Sequence, residues 1–166
     1  MMKTYAHAIF IAVFVLLAGT WAHAQQIPDV TLPDPEGGKH HLPTLANSGG
    51  LVLVITSPTL DDKSAQEAWS RLLASARGAN QGTFVMVEEM EDAFLKSIAL
   101  HEMKENWKPG DVPLLLVDHS GKLCTKLDVS EDETAVLAYN SKGVLVKRYT
   151  GPPSKARAQA IWAAVD

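Results

Sequence analysis

The chain has 166 residues with 15 basic and 19 acidic side chains, which give a formal net charge of −4, and 46% of its residues are hydrophobic. A mildly acidic protein without a basic cluster lacks the electrostatic footprint for nucleic acid or anionic lipid, so we predict neither partner. Cys124 is the only cysteine, which excludes an internal disulfide bond and leaves packing to provide stability.

The first 24 residues have the pattern of an export signal. Lys3 gives a weakly positive start, residues 9–17 form an apolar core, and the sequence Ala-His-Ala ending at Ala24 has the form of a cleavage site. The apolar core is too short for a stable membrane anchor. We therefore expect a signal peptide over 1–24 and one domain over 25–166, periplasmic and without membrane association after cleavage.

The first part of this domain is predicted to be extended. Region 27–45 contains four prolines and a Gly-Gly pair, which exclude a helix and favour short extended pieces around a turn at 35–38. A buried strand follows over 51–57, because an apolar run rich in β-branched residues ends there at Pro58.

A long helix is predicted directly after this strand, over 59–76. Thr59 is a good N-cap, and Asp62 can complete a capping box with it. The helix start is a natural place for chemistry, because free N–H groups and the helix dipole stabilise an anion there. The helix carries an apolar stripe that consists of Leu60, Ala65, Trp69, Leu72, Leu73 and Ala76.

The middle of the chain alternates between strands and helices. We predict a strand over 83–87, a helix from Asp92 to about Trp107, a strand over 112–117 and one helical turn over 122–127. The tryptophans at 69, 107 and 162 and Phe94 are assigned to the core.

The C-terminal part is predicted to be a β-hairpin followed by a helix. Two strands, 134–139 and 144–149, flank the Asn-Ser-Lys-Gly turn at 140–143, and Pro-Pro-Ser at 152–154 starts the last helix. The whole order predicts an α/β domain with three layers, in which a central mixed sheet ends in a hairpin and a closing helix.

This order resembles the thioredoxin-like fold, and within it the redoxin branch of peroxiredoxin-like and TlpA-like proteins. The resemblance rests on the Pro-Asp-Val-Thr-Leu-Pro-Asp run at 28–34, the strand-to-helix junction at 57–62 and the run VPLLLVDHSGKLCTKLDV from Val112. The acidic segment at 127–137, followed by the turn, is similar to the exported YtfJ-like proteins.

The departures from that family bear directly on activity. A thioredoxin Cys-x-x-Cys pair would fall on Leu60 and Lys63, and the peroxidatic cysteine would fall on Asp62, so neither thiol is present. The cis-proline that faces the redox site would fall near Thr134 and is also missing. The resemblance therefore implies a fold whose catalytic residues do not carry over.

Two interpretations remain open at the helix start. Asp62 and its neighbour Asp61 can simply cap N–H groups and complement the dipole. Alternatively, Thr59, Asp62 and Lys63 bind a small polar ligand in a site emptied of its thiols, and the resemblance places Thr134 beside them.

Cys124 is the one candidate nucleophile. It can be a small buried core residue, or a reactive thiol whose pKa the neighbouring Lys122 and Lys126 lower. Without a second cysteine, a redox cycle needs an external thiol or a disulfide-linked dimer.

The histidines and the acidic clusters give no diagnostic site. His40 and His41 are adjacent in an extended segment and should point to opposite faces, and no ligand spacing around His119 identifies a metal, so we predict no metal and no cofactor. The acidic clusters at 88–92 and 131–133 are interpreted as solvated faces, although both can also lie where open α/β sheets bind partners.

The functional hypothesis is a periplasmic thioredoxin-like domain that acts as a non-catalytic binding or accessory protein for a small polar ligand or a protein partner. The alternatives are a thiol peroxidase or thiol-exchange protein that uses Cys124 and, more weakly, a metal carrier.

Overall fold

The computed structural model describes residues 25–56, 63–78, 82–91, 96–130 and 133–165. The predicted signal peptide and the residues Thr59 and Asp62 lie outside these ranges. No helix in the described part of the chain combines the length and apolar character needed to cross a membrane.

The domain is built around a five-stranded mixed sheet with an N-terminal hairpin beside it. The strands are β1 (Thr31–Pro33), β2 (Lys39–His41), β3 (Leu51–Thr56), β4 (Thr83–Glu89), β5 (Leu114–Asp118), β6 (Ala135–Tyr139) and β7 (Leu145–Thr150). The main sheet has the order β5-β4-β3-β6-β7, in which β3, β4 and β5 are parallel and β6 and β7 are antiparallel to their neighbours.

Helices complete the two outer layers. They are α1 (Leu42–Ala46), α2 (Lys63–Ala76), α3 (Lys96–Asn106), α4 (Lys122–Leu127) and α5 (Lys155–Val165). One core cluster joins the sheet to the N-terminal hairpin, α1 and α4, and a second joins its other face to α2 and α5. The predicted three-layer α/β architecture is confirmed.

Strand β3 lies at the centre because both of its faces are apolar. All six of its residues are buried. Leu53 and Ile55 pack in the α4-side cluster, while Val52 and Val54 pack in the α2-side cluster. A strand that is buried on both faces has a continuous apolar sequence, which is why β3 could be predicted from the sequence.

The N-terminal region contains the predicted hairpin and also a helix that we had excluded. β1 and β2 pair antiparallel around the turn. The helix α1 begins at Leu42 with Pro43 in its first turn, where a missing N–H costs no hydrogen bond. The prediction of no helix over 27–45 was therefore wrong, because proline excludes a helix interior but not a helix start.

The C-terminal hairpin agrees with the prediction within one residue at each end. Asn140 Oδ1 accepts hydrogen bonds from the N–H groups of Lys142 and Val144, each at 3.0 Å, and Gly143 adopts a positive φ of 72°. Ser154 Oγ accepts the N–H of Arg157 at 3.3 Å at the start of α5. Local turn and cap chemistry thus sets both boundaries.

The helix α3, within the helix predicted from Asp92 to about Trp107, lies on the surface of the domain. None of its residues is buried, and Ile98 is 52% exposed. Trp107, just beyond its end, is buried and donates from Nε1 to the carbonyl of Pro113 at 3.4 Å. The core assignment of the tryptophans is therefore confirmed for all three, while Phe94 lies outside the described residues.

Candidate functional site

Polar residues from four strands meet at one edge of the main sheet. Because β3, β4 and β5 are parallel, their carboxyl ends lie together, and β6, antiparallel to β3, begins at the same edge. The residues at these positions are Thr56, Glu88, Glu89, Asp118 and Thr134. Open α/β sheets bind ligands just outside the carboxyl ends of their strands.

Thr56, Gln66 and Glu88 form a hydrogen-bonded network at this edge. Thr56 is the partner of Glu88 in the β3–β4 register, and its Oγ1 donates to Glu88 Oε2 at 3.1 Å. Gln66 projects from α2, and its Nε2 donates to Thr56 Oγ1 at 3.0 Å and to Glu88 Oε1. Two donors therefore fix the Glu88 carboxylate in a half-buried position.

Thr134 lies next to this network with a hydroxyl group that lacks a partner. Its side chain is 4% exposed, and its Oγ1 makes no hydrogen bond to the described residues. Continuing the pairing of Ile55 with Ala135 places Thr134 directly beside Thr56. The structure thus brings one predicted ligand-binding residue to the edge of the sheet.

The other three predicted ligand-binding residues are not tested in the same way. Thr59 and Asp62 lie outside the described residues. Lys63 is the first residue of α2, so its backbone lies at the end of the segment that joins β3 to α2. Its side chain lies outside the described part of the structure. Their role remains a prediction.

Cys124 lies on the other face of the sheet. It belongs to α4, is 7% exposed, and packs in the cluster that contains Leu116, Leu123 and Leu127. Gln66 stands on α2, whose apolar residues pack in the opposite cluster. The thiol and the polar edge network are therefore on different faces of the sheet.

The interpretation of Glu88 and Glu89 as part of a solvated face was wrong. Glu89 is 5% exposed, and its Oε1 accepts the N–H of Glu91. Glu91 and Glu133 are exposed, as expected. A run of like charges in the sequence cannot reveal that two of its members end a buried strand.

Asp118, at the end of β5, has a structural role. Its Oδ2 accepts the N–H of Leu123 at 2.7 Å, and its Oδ1 accepts the N–H of Ser120 at 3.2 Å. These bonds hold the turn that leads into α4. The short helical turn predicted over 122–127 is confirmed and has this carboxylate as its anchor.

The histidines of β2 contact separate carboxylates. His40 Nε2 lies 2.8 Å from Asp34 Oδ2, and His41 Nε2 lies 2.7 Å from Asp29 Oδ1. This agrees with opposite faces of one strand. Among the residues that the structure describes, no three metal-ligating side chains are grouped to hold an ion.

Asp34 organises the turn of the N-terminal hairpin. Its Oδ1 accepts the N–H groups of Glu36 and Gly38 at 3.0 and 2.8 Å. Burial by itself raises the pKa of Asp34, but the bonds from His40, Gly38 and Glu36 outweigh burial and hold that pKa below its ordinary value of 3.8.

Sequence reasoning missed Thr56, Gln66 and Glu88 as a unit. A signal for Gln66 was present, because it stands at helical spacing with the buried Trp69 and Leu73 and so shares their face. A polar residue on a buried helix face needs partners. Its actual partners depend on the strand register, which the sequence does not contain.

The architecture is the thioredoxin-like fold, as comparison with solved structures shows. DsbF of Mycobacterium tuberculosis is 17% identical with a TM-score of 0.63, over 84% of this chain and 99% of that protein. The exposed lipoprotein thioredoxin of Streptococcus pneumoniae is 17% identical with a TM-score of 0.60, over 78% of this chain and 93% of that one.

A third neighbour is a secreted disulfide oxidoreductase of Mycobacterium tuberculosis, described as homologous to DsbE of Escherichia coli. It is 17% identical with a TM-score of 0.57, over 82% of this chain and 96% of that protein. Searches against protein-family models and against curated proteins give no match. At this identity the likeness establishes the fold and leaves the activity open.

Proposed function

We propose that this chain is an exported thioredoxin-like protein that acts as a non-catalytic binding or accessory module. The observation that carries the proposal is that the only cysteine and the polar network at the carboxyl edge lie on opposite faces of the sheet. That edge holds the Thr56–Gln66–Glu88 network, while Cys124 packs into the opposite core cluster. A fold can keep its frame while its chemistry changes.

The surroundings of Cys124 also argue against thiol catalysis. A catalytic cysteine needs an accessible, electropositive setting that stabilises the thiolate. Cys124 is 7% exposed and packs among leucines, and the neighbouring Lys122 and Lys126 are exposed to solvent. A structural role as a small apolar residue accounts for these facts.

The carboxyl edge supports binding better than catalysis. Hydrogen bonds fix the Glu88 carboxylate, and Thr134 offers a buried hydroxyl on the other side of Thr56. Such preorganised polar groups recognise a small polar ligand or a polar segment of a protein partner. Export follows from the predicted signal peptide and agrees with neighbours that are secreted or exposed.

Activity assays test the non-catalytic role. The protein comprising residues 25–166 and its Cys124→Ser variant should both reduce insulin disulfides and hydrogen peroxide no faster than a blank that contains the same external thiol. Turnover well above the blank that disappears in Cys124→Ser would replace this proposal with a thiol enzyme.

Alkylation of Cys124 gives an independent measurement. The folded protein should react with iodoacetamide many times more slowly than the protein in denaturant, because the sulfur lies in the core. Rapid labelling of the folded protein, with a rate that titrates well below the usual thiol pKa of about 8.5, would contradict the structural role.

Export is tested by expressing the full chain in a Gram-negative host. The periplasmic fraction should contain a product whose mass corresponds to residues 25–166. Recovery of the uncleaved chain in the membrane fraction would contradict the assignment of a cleaved signal.

A further inference from the structure

The C-terminal part of the domain is basic, although the chain as a whole is acidic. Residues 134–165 contain five basic side chains and no acidic one, whereas the whole chain has 15 basic and 19 acidic side chains. The five are Lys142, Lys147, Arg148, Lys155 and Arg157. A surface that carries charges of a single sign concentrates partners of the opposite sign.

Two of these cations are neighbours of Tyr149 on the α2-side face of the sheet. Lys147 and Tyr149 pair with Ala138 and Val136 of β6, which pack in the α2-side cluster, and cross-strand partners share a face. Lys147 therefore stands two residues from Tyr149, about 7 Å along the same face of β7. Arg157 comes from α5, and its guanidinium carbon lies 5.8 Å from the centroid of the Tyr149 ring.

The side chain of Arg157 is held in place before any partner binds. Its Nη1 donates to the carbonyl of Pro152, and its guanidinium packs over the Tyr149 ring. A guanidinium has five N–H donors in a rigid fork that matches a carboxylate. Among the described residues, the Pro152 carbonyl is the only acceptor for this fork, so donors remain for a partner. A side chain that is already ordered costs less entropy on binding.

Lys155 adds a third cation two residues before Arg157, and we call Lys147, Lys155 and Arg157 the basic face. Lys155 is the first residue of α5 and is exposed, as is Lys147. No described carboxylate forms an ion pair with any of the three. The helix dipole disfavours cations in a first turn, so the stability of α5 does not account for Lys155 and Arg157.

We propose that the basic face is a docking surface for an acidic segment of a partner protein. Aspartate and glutamate side chains along an extended segment supply carboxylates to the Arg157 fork and to the flexible amino groups of the two lysines. The inference rests on the proposed binding role and names the chemistry of the partner.

The positions of the exposed apolar residues favour a protein segment over an anionic membrane. Peripheral binding to a membrane combines basic side chains with apolar ones that enter the lipid. Among the described residues, the large apolar side chains that are exposed are Ile98 and Val112. Ile98 belongs to α3, and Val112 precedes β5, which forms the opposite edge of the sheet from β7. Neither belongs to the basic C-terminal part.

Fluorescence anisotropy of a fluorescein-labelled peptide that alternates glutamate with glycine tests the inference. We expect saturable binding at low salt that weakens as the salt concentration rises, because exposed charges are screened. The same peptide with glutamine in place of glutamate should not bind.

Charge reversal at matched positions locates the docking surface. Lys147→Glu should weaken binding of the glutamate peptide about tenfold, because it replaces an attraction with a repulsion. Lys104→Glu, at an exposed position of α3, changes the net charge equally and should alter the affinity by less than about twofold.

Arg157→Lys tests the guanidinium itself. This variant retains the charge and removes the fork, so binding should weaken about fivefold although the net charge is unchanged. Should Arg157→Lys fail to fold, the comparison of Lys147→Glu with Lys104→Glu still decides the inference.

Vesicles of phosphatidylglycerol test the alternative partner. They should not retain the protein in a sedimentation assay at physiological salt. Retention by these vesicles without binding of the glutamate peptide would assign the basic face to a membrane and overturn the inference.

Three further results would overturn the inference. They are the absence of saturable peptide binding, equal binding of the glutamine peptide, and equal effects of Lys147→Glu and Lys104→Glu. These results leave the non-catalytic role intact, because that role is decided by the disulfide and peroxide assays. Thiol turnover that depends on Cys124 would instead remove the proposed function without changing the result of the peptide titration.

Discussion

Strand β6 has near each end a buried hydroxyl that lacks a partner among the described residues, and the two surroundings differ. Tyr139 ends the strand among apolar side chains of the α4-side cluster, and Thr134 precedes it beside Thr56. Burial raises the pKa of the Tyr139 phenol above its ordinary value, although the charge of Arg148 opposes the shift. An unpartnered hydroxyl costs stability at both ends of the strand, and at Thr134 it also lies beside the polar side chain of Thr56.

The largest expected effect is the loss of stability in Gly50→Ala, which tests whether the protein is closely packed around the end of β6 at Tyr139. In Gly50→Ala the new Cβ would lie 2.3 Å from Val165 Cγ1 and 2.7 Å from the Tyr139 carbonyl oxygen, at a φ of +93°. Overpacking and a strained backbone together predict a loss of about 3 kcal/mol of unfolding free energy. Urea denaturation measures it, and a loss below about 1 kcal/mol would show that this end can adapt.

The next effect concerns the network at the other end. Gln66→Leu retains the volume of the side chain and removes the donor to Thr56 and Glu88. Bonds to charged groups are worth about 1.5–3 kcal/mol, so we expect a loss of about 2 kcal/mol. Gln159→Leu on the exposed surface of α5 is the matched control and should change stability little. Equal losses in both variants would contradict the network.

The third prediction compares the two hydroxyls directly. Thr134→Val and Tyr139→Phe each remove an unsatisfied oxygen at nearly constant shape, so each should stabilise the protein by about 1 kcal/mol. Thermal denaturation without ligand measures both variants. Stabilisation by Tyr139→Phe alone would show that the Thr134 hydroxyl has a hydrogen-bond partner in solution. It would contradict the description of the Thr134 hydroxyl as unsatisfied.

The smallest expected effect concerns Asp34, a carboxylate with hydrogen-bond partners that serves as the reference for the two hydroxyls without partners. Because the pKa of Asp34 is lowered in the folded state, its stabilisation is present above the ordinary value of 3.8 and is lost as the pH falls through the folded pKa. Asp34→Asn should therefore be less stable than wild type at pH 7, with a difference that shrinks below about pH 4. Denaturation curves at both pH values test this, and a constant difference would contradict it.

The sequence predicted the elements whose signals are local. The apolar run of β3, the turn before Gly143 and the short helix anchored by Asp118 each follow from residues within a few positions of one another. The helix α1 was missed because a proline rule was applied to a helix start. The exposure of Ile98 could not be predicted, because a periodic pattern does not show whether a neighbour covers the helix.

The candidate site was only partly predictable for the same reason. Thr134 was predicted as a site residue through the resemblance to redoxins, and the structure places it at the carboxyl edge of the sheet. Thr56, Gln66 and Glu88 come together only through the β3–β4 register and the seating of α2 on the sheet. These are long-range contacts, and a single sequence does not define them.

The pairing at the outer edge of β7 bears on association between copies of the protein through the edges of their sheets. The N–H of Leu145 donates to the carbonyl of Gln25 at 2.8 Å, and the N–H of Ile27 donates to the carbonyl of Gly143 at 2.8 Å. An open strand edge is a template for sheet growth between molecules. Residues 25–27 thus occupy hydrogen-bonding groups at the start of this edge, and the bulge opposite Tyr139 and the charge of Lys147 disfavour pairing further along it.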